Sequence, residues 1–170
     1  MENMPVVKEF IELAKLDCAS RHERLVADAV TKKLKDLGFT VREDGTAAKV
    51  EGEAGNVCAY LEGTAKGCVL FAAHLDRVQN GLGIKPQIKD GNLVSDGTTI
   101  LAADDLSGVA AILDGIRRVL ASGKPHPRIE VLFSVCEEIG VQGTKHLDTS
   151  LFEAKYGFVL DSPGRVGRVL

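Results

Sequence analysis

Four short apolar runs in this chain each close on metal-binding or acidic side chains, and that pattern narrows the fold more than any other feature. Cys68 to Ala73 leads into His74 and Asp76, and Ile100 to Ala103 leads into Asp104 and Asp105. Ile129 to Val135 leads into Glu137 and Glu138, and Tyr156 to Leu160 into Asp161. Short continuous apolar runs are the mark of strands buried on both faces. In an open α/β sheet the carboxyl ends of parallel strands face one crevice, so groups placed just after several strands converge there. The expectation is a three-layer α/β sandwich, a mostly parallel sheet with helices on both faces.

The rest of the chain supplies those helices. Pro5 suits the first turn of a helix reaching about Leu16, with Val6, Phe10, Ile11, Leu13 and Ala14 as its buried stripe. Ser20 precedes Glu23 by three residues, a capping-box spacing, and Leu25, Val26, Ala29, Val30, Leu34 and Leu37 continue as a helical stripe that Gly38 can close. From Phe39 the period changes to two, and Phe39 to Arg42 and Val57 to Leu61 read as strands joined by a glycine-rich connection. Asp90-Gly91 between two short alternating runs predicts a hairpin. Leu106 to Leu120 is apolar around most of its circumference and reads as a deeply packed helix. A short helix is expected over Thr144 to Phe152, and Ser162-Pro163-Gly164 should turn the chain away from the last strand.

With 170 residues the chain suits one domain, and a net charge of -3 gives no reason to expect a nucleic-acid partner. The acidic N-terminus lacks the long apolar stretch of a signal peptide or a membrane span, so the cytoplasm is the default compartment. Cys18, Cys58, Cys68 and Cys136 show no C-x-x-C spacing and read as buried reduced thiols.

His74 and Asp76, two apart in an extended segment, should point the same way, so the carboxylate can support the imidazole. One aspartate is enough to cap the helix after Asp104-Asp105, which leaves the other free to enter the crevice. Glu137 and Glu138 would repel one another in a desolvated cleft unless a cation or a proton intervenes. A division of labour resolves this: one glutamate binds metal while its neighbour, facing the other way, takes a proton from water. One imidazole with a surplus of carboxylates is the makeup of a hydrolytic two-metal centre.

The motifs H-L-D at His74 to Asp76, A-D-D-x-x-G at Ala103 to Gly108, E-E-I-G at Glu137 to Gly140 and the Asp161 turn resemble, in order and spacing, the dizinc exopeptidases. That superfamily includes peptidase T, glutamate carboxypeptidase and the aminoacylases, and the surrounding sequence is most similar to the peptidase T-like tripeptide aminopeptidases. The resemblance implies a zinc-exopeptidase fold and two divalent cations, zinc foremost with cobalt or manganese as alternatives. By the same resemblance His74 and Asp161 would hold the first cation, Asp104 would bridge both, and Glu138 would hold the second. Glu137 would be the general base, Asp76 would orient His74, and the substrate would be a short peptide cut at its N-terminal residue.

Two departures from the family pattern are Ala102, often glycine, and Leu106, often lysine. The family pattern also continues past Leu170, with an inserted smaller domain through which members pair as homodimers. A C-terminal segment follows it, carrying the histidine that completes the second site. Residues 1–170 are therefore expected to be the N-terminal portion of a metallopeptidase catalytic domain. His22, His126 and His146 are weak substitutes for the missing ligand. Two other readings stay open at this point: a non-catalytic binding domain, and an N-acyl amino acid deacylase or carboxypeptidase of the same superfamily.

Overall fold

The computed structural model describes residues 3–162, so the turn expected at Pro163-Gly164 lies outside the described residues. In chain order the elements are α1 (Pro5–Ala14), α2 (Arg24–Asp36), β1 (Thr40–Glu43), α3 (Thr46–Val50), β2 (Val57–Leu61), β3 (Cys68–His74), β4 (Gln87–Lys89) and β5 (Asn92–Val94). They continue with α4 (Ala103–Ala121), β6 (Arg128–Ser134), α5 (Gln142–Lys145), a 3-10 turn (Thr149–Leu151) and β7 (Gly157–Val159).

The main sheet has the order β1-β2-β6-β3-β7, and β4 and β5 form the separate hairpin that Asp90-Gly91 predicts. Strands β6, β3 and β7 pair in parallel, whereas β2 is antiparallel to both of its neighbours. The sheet is thus mixed, with β2 alone running against the other four strands. The link from β1 to β2 holds only the short helical turn α3, with no helix long enough to cross the sheet, and the chain returns antiparallel.

Alternation along the strands divides the core. Val57, Ala59, Ala73, Ile129, Val131 and Phe133 face a large cluster with Phe10 and Leu13 of α1, Val26 and Leu34 of α2, and Val109 and Leu113 of α4. Cys58, Ala72 and Leu132 face the opposite side and pack with Leu70, Leu147, Leu151 and Phe152. Helices lie on both faces as expected, but the second helical layer is thin. Glu9, on the buried side of α1, pairs with Lys33 of α2 at 3.0 Å and with Arg117 of α4, joining the three long helices. Arg77 is buried, and its guanidinium donates to the carbonyls of Ala14 and Leu16, which the end of α1 leaves without helical partners.

Four local expectations fail, one being the short helix over Thr144 to Phe152, which is instead α5 and the separate 3-10 turn, with His146 to Asp148 non-helical between them. Ile100 to Ala103 is not a strand: β3 already has β6 and β7 on its two edges, and Ala102, at φ +59°, turns the chain directly into α4. Ser20 does not cap α2. The helix starts at Arg24, and the Ser20 hydroxyl donates instead to the buried Asp76 carboxylate at 2.5 Å, a stronger acceptor site than a solvated helix end. The connection after β1 contains the helical turn α3, which its glycines conceal. Cys18, Cys58 and Cys136 are buried free thiols, with burial pushing Cys58 and Cys136 up to about 12, while Cys68 is only half-buried.

Two glycines test this packing in opposite directions. A Cβ on Gly143 would run into the Val135 carbonyl and lie 2.8 Å from Asn56 Oδ1. Gly143→Ala should therefore lower the unfolding free energy by about 1–3 kcal/mol in urea titration. Gly115, on the exposed side of α4 with nothing within 4 Å, should give a gain of about 0.5–1 kcal/mol as Gly115→Ala.

Candidate metal centre

His74 is the last residue of β3, and its ring is almost wholly buried. Its Nδ1 lies 2.9 Å from the Asp76 main-chain carbonyl. A carbonyl can only accept, so Nδ1 carries the proton and Nε2 faces the crevice as the ligating nitrogen. Around Nε2 stand Asp104 Oδ1 at 3.0 Å, Asp161 Oδ1 at 3.8 Å and Glu137 Oε2 at 3.9 Å. Two sets of potential ligands share this imidazole, His74 with Asp104 and Asp161, and His74 with Glu137 and Glu138, each with its donor atoms within 4.8 Å of one another.

The aspartate pair divides its work. Asp105 is buried and its Oδ1 accepts from the Gly108 amide at 3.1 Å, capping the regular part of α4, while Asp104 is exposed and turned to His74. The glutamate pair does not split in the way expected. Both side chains offer an oxygen to the His74 cluster, because the strand has ended before them: Cys136, at φ +54°, turns the chain, and the Gly140 and Val141 amides bond back to the Glu137 carbonyl, so the pair opens a turn. That left-handed conformation costs a non-glycine residue about 1–2 kcal/mol.

Four successive amides of this turn are held by buried side chains. Val135 N–H donates to Asn56 Oδ1 at 3.1 Å and Cys136 N–H to Glu23 Oε1 at 2.9 Å. Glu137 and Glu138 N–H donate to the two oxygens of Asp76 at 2.8 and 3.2 Å. Sequence reasoning gave Asp76 the task of orienting His74, but its carboxylate stands 3.5 Å from Nδ1 and its closer hydrogen bonds go to Ser20 and the glutamate turn. Glu23 and Asn56 were missed. The only signal for Glu23 was a capping-box spacing, and Asn56 lay in a connection without periodicity.

Electrostatics favour a positive charge at this point. Burial opposes the imidazolium of His74, yet the hydrogen bond and charge of Asp76, followed by Asp104, outweigh it and raise its pKa to about 10. Burial would lift Asp76, but hydrogen bonds from His74, Ser20 and the two glutamate amides hold its carboxyl below the usual range. Glu138 and Asp161 are both pushed up, first by burial and then by the negative charge of Asp104. Carboxylates crowded enough to favour protons also attract a divalent cation. One imidazole nitrogen with several carboxylate oxygens suits zinc, cobalt or manganese, so the donor set fits such ions.

His126 bonds the Pro127 carbonyl ahead of β6, His22 pairs with Glu53 at 2.8 Å on the surface, and His146 follows α5. Each lies outside the ligand sets found among the described residues. Open clefts flank the cluster. One of about 590 Å³ is lined by Ser20, Arg21, Val78, Glu138 and Ile139, and one of about 310 Å³ by Asp104, Ser107 and Asp161.

A mixed α/β sheet with this cluster at the carboxyl ends of β3, β6 and β7 defines the zinc-exopeptidase class of fold. The chain belongs to peptidase family M28, whose model matches residues 56–168. It is 39% identical over 166 residues to the uncharacterised protein YqjE of Bacillus subtilis strain 168, covering 97% of this chain and 45% of that protein. Aminopeptidase PepT from Bacillus cereus ATCC 10987 superposes with a TM-score of 0.93 at 45% identity, over 96% of this chain and 44% of that one. A tripeptidase from Staphylococcus aureus subsp. aureus Mu50 does so at 0.92 and 32% identity, with the same coverage. The chain thus spans less than half the length of these relatives. The likeness read from the four motifs is borne out.

The hydrogen bonding makes Asp76 the expected weak point of this region. Asp76→Ala strips the acceptor from two glutamate amides and a hydroxyl and removes the negative charge beside His74, and should cost about 3 kcal/mol or more in urea unfolding at neutral pH. Ser20→Ala removes one partner of the same group and should cost about 1 kcal/mol.

Proposed function

We propose that this chain carries the ligand-bearing part of a metallopeptidase that removes the N-terminal residue from short peptides, tripeptides foremost. The observation that carries the reading is the meeting of His74 Nε2 with carboxylates from three separate segments, at the start of α4, after β6 and after β7. Similarity to an aminopeptidase and to a tripeptidase supports the substrate class.

In this reading His74 and Asp161 would hold one divalent cation and Glu138 a second, with Asp104 available to both and zinc the first candidate. A further ligand to the second cation would come from sequence beyond these 170 residues, as would the smaller domain that pairs two copies. Bound cations would supply Lewis acidity at the scissile carbonyl and ease the deprotonation of water. Glu137, half-buried at the edge of the cluster, takes the proton from the attacking water on a carboxylate oxygen and returns it to the leaving amine. Asp76 keeps the imidazole tautomer and the glutamate turn in place. The flanking clefts give the peptide room on either side of the reacting carbonyl. No helix among the described residues is long and apolar enough to cross a membrane, and buried free thiols suit the reducing cytoplasm.

The test compares the complete protein with its Glu137→Gln variant, tripeptides being assayed beside N-acetyl amino acids. Tripeptide hydrolysis should fall by about 100-fold or more, a general base's usual share, with cation content by elemental analysis unchanged. Loss of the cation together with activity would make Glu137 a ligand, and preferential cleavage of N-acetyl amino acids would overturn the aminopeptidase reading.

A further inference from the structure

Glu23 is fully buried, and its Oε2 has no hydrogen-bond partner among the described residues. A carboxylate in that position is expensive for a scaffold, because an apolar side chain of the same length would fill the space without a desolvation cost. Its other oxygen is heavily used. Oε1 accepts the Arg21 amide at 3.0 Å and the Cys136 amide at 2.9 Å, and the Cys136 thiol lies 3.4 Å away. The residue thus joins the start of α2 to the first position at which the chain turns left-handed after β6.

We propose that Glu23 is a positioning residue for the glutamate pair, an inference that rests on reading Glu138 as a metal ligand. The Cys136 amide is the hinge of the turn. With its hydrogen bond to Glu23 in place, Cys136 stays at φ +54° and both Glu137 and Glu138 face His74. Without an acceptor there, a residue with a Cβ is drawn back toward extended backbone, and the chain would leave β6 in another direction, carrying the glutamate pair away from its present bearing on His74. Asp76 holds the next two amides but cannot prevent this alone, since its bonds lie on the far side of the hinge.

The experiment titrates the full 170-residue chain with Co²⁺, following visible absorption for ligand geometry and calorimetry for affinity, beside Glu23→Met, Glu23→Gln and Glu138→Gln. Methionine fills the space without an acceptor and should weaken Co²⁺ binding by about tenfold or more, whereas glutamine keeps an acceptor oxygen and should stay within about threefold of the parent. Leu13→Ala, a core change remote from the cluster, should leave the affinity unmoved although it lowers stability. Parent-like binding by Glu23→Met overturns the proposal, and so does an equal loss in Glu23→Gln. If Glu23→Met does not melt cooperatively, Glu23→Asp replaces it; the withdrawn carboxylate should give the same loss, and parent-like binding there overturns the proposal. If Glu138→Gln leaves binding intact, the ligand reading itself fails. If Glu138→Gln weakens binding and Glu23→Met does not, only the role of Glu23 fails.

Discussion

The hydrogen bonds from the Glu137 and Glu138 amides to the buried Asp76 carboxylate hold the candidate centre together. Asp76 follows β3 and the glutamates follow β6, so these two bonds tie neighbouring parallel strands just beyond their last ladder pair, His74 with Ser134. The same carboxylate receives Ser20 from the α1–α2 loop. A successive run of amides is an anion-binding concavity in its own right. Here the chain fills most of it with its own acid groups, leaving the glutamate side chains free to face outward.

The asymmetry of the sandwich follows from where these anchors come from. The three long helices share one face, and their ends and loops bring Ser20, Glu23 and Asp105 to the crevice. Arg77 fastens the end of α1 beneath the same region by bonding its terminal carbonyls. The opposite face holds Leu147, Leu151 and Phe152 over three strand residues and contributes no ligand. The thick layer is therefore both the main core and the frame of the site.

The strands and long helices were legible because apolar periodicity is a local property: the runs at Cys68, Ile129 and Tyr156 each became a strand, and the Leu106 stripe became α4. The six residues singled out for the site all meet around His74: five sit at or just after the ends of β3, β6 and β7, where a strand's end translates directly into position at the sheet's carboxyl edge, while Asp104 arrives at the start of α4. What sequence could not disclose depended on long-range competition. Ser20 and Glu23 have the spacing of a local cap, yet both are drawn to partners more than 50 residues away. The Ile100 run has strand composition, but Ala102 turns it straight into α4, and both sides of β3 are taken by β6 and β7. The direction of the glutamate pair depends on the turn that begins at Cys136, and nothing in the identity of a cysteine announces its left-handed conformation.

Strand β7 gives Asp161 a different mechanical footing from the other ligands. It is three residues long, lies at the rim of the sheet, and leaves Tyr156, Phe158 and Val159 largely in water, with Phe158 stacked on Phe71 at 5.7 Å. Among the described residues no strand pairs with its outer side, and such a rim is a template that another strand readily extends. With Asp161 as a ligand, its position would respond to whatever docks alongside, and metal affinity there would be coupled to association along that rim.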